Sequence, residues 1–371
     1  MKVLKKYTLG AFACLSILSS CGSDSDSTDP NTDYDRQTML ANYAESLIVP
    51  AYSAFQTKVE AMSTAVDAFV AAPSTETLAT ARTAYLEAYR TWQEVSVYEF
   101  GPAEEQMLRE RLNKYPTTTS QIENNIASGS YDLQTTANMS AIGFPALDYL
   151  LYTNATDAEV VALYTSDANA ANRKKYLQDV SSLVKQRTAA VYNGWTSGDY
   201  AATFKNSPGT AVGSAVGNLV NGLNSDIDIT KRYKVGTPAG KYTIGNALPD
   251  KVEAYYSQNS LELLKQNIRA EKAIFMGLAA DGTNGPGLDD YLDHVKAPYQ
   301  NGLLSDAIEA QFDAALAAAN AIQGPLSEAV ISQPAAVMKV YDELQKLIVL
   351  TKTDMPAALG VTISYNDNDG D

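Results

Sequence analysis

From Tyr34 to Ala72 apolar side chains return at three- and four-residue intervals, at Leu40, Tyr43, Leu47, Ile48, Phe55, Val59, Met62, Val66 and Phe69. That spacing puts them on one face of a single long α-helix, with a kink expected at Pro50. Such a face can be covered along its length only by other long helices, and the chain supplies them. After the break at Pro73-Ser74-Thr75, a second helix runs from about Glu76 to Tyr98, with Leu78, Tyr85, Tyr89 and Trp92 on one side. Tyr176, Val180, Leu183, Val184, Val191 and Trp195 mark another long helix. Leu261 to Phe275, Ile308 to Ile322 and Val337 to Ile348 continue the pattern, and no stretch alternates with period two. Ser120 with Glu123, and Thr156 with Glu159, have capping-box spacing and predict two further helix starts.

The fold class expected is therefore all-α, two helical-bundle halves with no substantial sheet. Glycine and proline accumulate between Gly198 and Lys251, which sets the expected boundary: residues 34–198 for the N-terminal bundle and 199–371 for the C-terminal one. At 371 residues there is ample chain for two cores.

The first 33 residues read as export machinery. MKVLKKY is basic, and TLGAFACLSILSS is apolar but too short to span a bilayer, so residues 1–20 read as a signal peptide. Leu18-Ser19-Ser20-Cys21 resembles the lipobox of bacterial lipoproteins, in which Cys21 carries the lipid. Residues 21–33 then form a polar tether whose Ser/Asp run resembles a lipoprotein surface-export signal. The expected location is the outer membrane, on its periplasmic face or at the cell surface. With Cys14 in the signal and Cys21 lipidated, cysteine catalysis and thiolate metal sites are excluded. Loss of the signal's three lysines takes the formal charge from −15 to −18, which argues against nucleic acid as a partner.

Three stretches carry polar groups at or near expected helix ends, and a fourth is the acidic C-terminus. AIGFPALDYLLY has Gly143, Pro145, Asp148 and Tyr152 around an expected helix start, where an ionised carboxylate is favoured. WQEVSVYEFG ends a helix with Trp92 and Glu99. EAYYSQNSLELLKQNI holds Glu253, Ser257 and Asn259, with Ser257 and Ser260 as candidate caps. The C-terminal DNDGD looks like the first part of a calcium loop, but the ligands that complete one do not follow.

Together these stretches resemble the imelysin family, insulin-cleaving membrane protease-like proteins implicated in bacterial iron uptake. Gly143 matches the glycine of that family's G-x-H-x-x-E motif, while Pro145 stands at the histidine and Asp148 at the glutamate. Whatever the histidine does in the family cannot be done by a proline. The resemblance implies an all-helical fold in two halves and a binding lipoprotein of iron or haem uptake, working beside an outer-membrane iron or haem transporter. Iron or another divalent cation would then be the bound species. Glu99 and Asp148 are the candidate metal ligands, and hard oxygen donors of this kind suit Fe(III) or calcium.

Two other functions compete. A metallopeptidase needs His, Cys and carboxylate ligands, and the single histidine, His294 in YLDHVK, belongs to no zinc or triad pattern. A surface glycan or peptide binder would use tyrosine, which outnumbers phenylalanine 23 to 8. The binding reading expects Glu99 and Asp148 of the first half to face Glu253, Ser257 or Asn259 of the second.

Overall fold

The long N-terminal helix forms, in three pieces. In the computed structural model, which describes residues 33–153 and 155–365, Arg36–Asn42 and Val49–Ala71 are α-helical and the turn between them, Tyr43–Ile48, is a π-helix. The widened turn ends two residues before Pro50. The same arrangement recurs at Thr230–Gly236 before Pro238 and at Leu350–Asp354 before Pro356. Proline has no N–H to donate and its ring crowds the carbonyl four residues back, so a helix entering it relaxes by adding a residue to the turn. The kink expected at Pro50 is thus a π turn preceding it. Cys21, the signal, nearly all of the tether and the terminal DNDGD lie outside the described residues.

The first half is built on three long helices, Val49–Ala71, Thr75–Val95 and Ala170–Thr196. A capping box at Ser74 and Thr77 starts the second of them directly after the break at Pro73. Phe55, Val59, Met62, Val66, Phe69, Tyr85, Tyr89 and Trp92 are wholly buried between them, as the periodicity predicts. In the second half Ala215–Ile229, Ser260–Phe275, Leu304–Ala321 and Pro334–Val349 pack around Leu264, Ile308, Phe312, Val340 and Leu344. The glycine-bearing stretch is itself helical from Ala215. There Gly222 lets the helix approach the carbonyl of Val97, which an added Cβ would meet at 2.6 Å.

The fold is all-α. The only strands among the described residues are the two-residue pair Pro298–Tyr299 and Gly302–Leu303. Thr156 and Glu159 form the expected capping box, whereas the helix expected at Ser120 begins at Thr119 with Thr118 as its N-cap. No helix among the described residues is long and apolar enough to cross a membrane. Thr75–Val95 packs on Ser260–Phe275, across the boundary expected from the sequence.

Candidate functional site

The site begins at Gly143. Its φ of +74° belongs to the left-handed region, and an added Cβ would lie 2.3 Å from the carbonyl oxygen of Leu112. Only glycine lets the chain turn there and start the helix Gly143–Tyr152, with Pro145 in its first turn. Phe144 stacks on Tyr89, ring centroids 4.6 Å apart and nearly parallel, which fixes the rotation of the helix. Asp148 is thereby aimed at the second half.

Asp148 is 1 % exposed, and its oxygens are already engaged. Oδ2 accepts the backbone N–H of Tyr256 at 2.7 Å, and Oδ1 accepts that of Ser257 and the Tyr85 hydroxyl, each at 3.1 Å. The two amides come from a turn in which Ala254 and Gln258 have φ of +50° and +59°. That backbone presents consecutive N–H groups as a small anion-binding nest, and Asp148 fills it. Burial pushes the Asp148 carboxyl up to about 6, and the hydrogen bonds from Ser257, Tyr256 and Tyr85 pull it part of the way back. The aspartate is a latch between the halves.

Glu253, in the same turn, reaches inward instead. Its Oε1 accepts from Asn113 Nδ2 at 2.7 Å and Gln93 Nε2 at 3.3 Å, and its Oε2 pairs with Lys234 Nζ at 2.8 Å. Ser257 and Asn259 shape the turn: Ser257 Oγ donates to the Ala254 carbonyl, and Asn259 Nδ2 to that of Ser257 at 2.7 Å. Ser260, expected as a cap, is the first helical residue and donates to the Glu253 carbonyl.

Of the remaining sequence candidates, Tyr152 lies one turn from Asp148 on the same helix, and Glu99 and Trp92 are held by other partners. Glu99 Oε1 accepts the Arg109 N–H at 3.1 Å, and burial raises its carboxyl to about 7 against the pull of the Arg109 guanidinium. Trp92 is a core residue, 5.9 Å from the Phe55 ring, with the Arg109 guanidinium 5.8 Å from its own. Tyr152 packs under Arg82 at 4.4 Å. His294 meets Asp33 at 2.8 Å at the surface. No group of three or more His, Cys, Asp or Glu among the described residues could hold a metal ion. The side chains present therefore do not fit a resident metal centre: Pro145 offers no donor, and each carboxylate has its own partners.

What lies beside Asp148 is a cavity of about 340 Å³. Tyr115, Tyr255 and Tyr256 wall it, Thr118 and Ser120 give hydroxyls, and Pro145 closes the floor. The helix Thr119–Ser128 opens onto it without a side-chain cap, leaving backbone donors at its first turn. The Lys251–Asp250 ion pair, 3.0 Å, stands at the rim.

Behind the latch lies a largely buried network, Arg109, Asp226, Lys234 and Glu271 around Asn267, whose charged members the motif reading did not reach. Its signal in the sequence was Asp226, a charged residue on the apolar face drawn by Leu219, Leu223 and Ile227.

Known proteins resemble this chain along nearly its whole length. Iron-regulated protein A of Synechococcus elongatus is 21% identical over 356 residues, covering 92% of each chain. The solved structure of an iron-regulated protein A precursor from Parabacteroides distasonis superposes with a TM-score of 0.74 at 22% identity, covering 87% of this chain and 95% of that one. An imelysin-like protein from Psychrobacter arcticum gives 0.67 at 17% identity, covering 89% and 97%. The family model described as Imelysin matches residues 48–353, and the chain belongs to the imelysin family.

Proposed function

We propose that the protein is a lipid-anchored binding protein of iron uptake. It takes a small iron-bearing organic compound, a ferric chelate or a haem edge, into the cavity beside Asp148, and it has no peptidase activity. The observation that carries this reading is the state of Asp148. With both oxygens spent on Tyr256, Ser257 and Tyr85, it walls the cavity without being free to bind a bare ion. Phenol faces, hydroxyls and open helix N–H groups are the chemistry of an oxygen-rich organic ligand. The iron context is supported by the similarity to iron-regulated protein A. Anchoring through Cys21 at the outer membrane and delivery to an iron or haem transporter there complete the proposal.

Calorimetric titration of the mature chain with ferric citrate and with haemin tests it. Binding of at least one, weakened tenfold or more by Tyr256→Ala in a folded protein, is expected. Binding of neither, or an unchanged affinity in the variant, would overturn it.

A further inference from the structure

Glu271 is wholly buried on the helix Ser260–Phe275, and its hydrogen bonds do not balance if it is charged. Asp226 can only accept, so Asn267 turns its Nδ2 to Asp226 Oδ2 at 2.7 Å and its Oδ1 to Thr230 Oγ1 at 2.9 Å. Thr230 Oγ1 also lies 2.9 Å from Glu271 Oε1, and Glu271 Oε2 is buried with no hydrogen-bond partner among the described residues. Two acceptor atoms, Asn267 Oδ1 and Glu271 Oε1, thus compete for one hydroxyl proton, and Oε2 is left with none. A proton on the Glu271 carboxyl supplies the missing donor.

The local charges agree. Arg109, from the first half, pairs with Asp226, which also accepts from Ser96 Oγ at 3.3 Å. Lys234, from the π turn, pairs with Glu253. Arg109 and Lys234 are already paired with Asp226 and Glu253, so an ionised Glu271 would be a third anion drawing only the weaker pull of Lys234, next to Asp226. Burial and the Asp226 charge hold the Glu271 carboxyl well above the usual carboxylate range.

We propose that Glu271 stores a proton at the junction of the two halves and that this proton is a pH-sensitive pin: the halves stay packed while it is held and loosen when it is lost. Thr230 and Lys234 belong to the same π turn, and Lys234 grips Glu253 in the cavity wall. Loss of the proton therefore acts on the elements that join the halves.

Two measurements on the purified mature chain test this. The first is the infrared carboxylic-acid C=O band at pH 8, above the values of about 7 and about 6 to which burial raises Glu99 and Asp148. It should be present in the wild type and absent in Glu271→Gln. The second is unfolding as a function of pH. Relative to Glu271→Gln, the wild-type folding equilibrium should weaken about tenfold per pH unit above the ordinary carboxylate range, up to the pH where the proton leaves. A wild type with no such band at pH 8, a pH-independent gap, or a Gln variant that fails to fold would each overturn the proposal, because the amide reproduces the neutral acid's shape.

Discussion

Replacing Asp148 by Asn should cost little at neutral pH and more in acid. Two effects oppose each other. Asparagine keeps one acceptor for the Tyr256 and Ser257 amides and turns an N–H₂ toward the other, leaving a buried donor unsatisfied at about 1–3 kcal/mol. Against this, the wild-type carboxyl is raised from 3.8 to about 6 by burial, so its ionisation costs the folded state about 3 kcal/mol once the pH is above both values. The sign follows from the raised folded value: wild-type stability from this group is complete below pH 4 and is lost as pH rises through about 6. The substituted amide does not titrate. The variant should be about 1–3 kcal/mol less stable than wild type near pH 3.5, and equal to it or slightly more stable at pH 7.5. Urea unfolding at pH 3.5, 5.5 and 7.5, with matched m-values, gives the difference directly. A constant deficit, or one that grows with pH, would refute the reasoning.

Other outcomes follow from the same geometry. Gly143→Ala should lose at least about 2 kcal/mol in chemical denaturation, because the residue is left-handed and its Cβ meets the Leu112 carbonyl. Lys234→Met should cost about 3–5 kcal/mol by leaving Glu253 charged and unpaired in the core. A loss under about 1 kcal/mol would show that Asn113 and Gln93 suffice. Cys21→Ser should move the protein from the membrane to the soluble fraction, and unchanged fractionation would remove the lipobox reading. Insulin and casein should survive incubation with the purified chain. Cleavage that a chelator stops and that Asp148→Asn abolishes would restore the peptidase.

The helices were legible because their apolar faces repeat over many turns, and Phe55, Val59, Met62 and Phe69 are buried as that repeat requires. The pairing of Asp148 with the Ser257 region was also legible, through family-like residues in separate stretches. Its form was not. Sequence spacing marks a carboxylate but does not show whether backbone N–H groups will consume it, and here the left-handed Ala254 and Gln258 turn two amides onto it. Glu99 looked equivalent, yet Arg109, ten residues on, holds it elsewhere. Asp226 and Glu271 were hidden for a different reason: each lies inside a regular helix with no motif, and only the packing of Ala215–Ile229 on Ser260–Phe275 brings them together.

Whether Asp148 is a latch or a ligand is decided most directly by site-resolved hydrogen exchange at the Tyr256 and Ser257 amides, with and without added Fe(III) citrate or Zn²⁺. Strong protection at both amides is expected in the wild type, unchanged by either metal and lost in Asp148→Ala. Amides that exchange freely in the metal-free protein, or that become exposed when metal is added, would mean that the carboxylate serves an ion and not the turn.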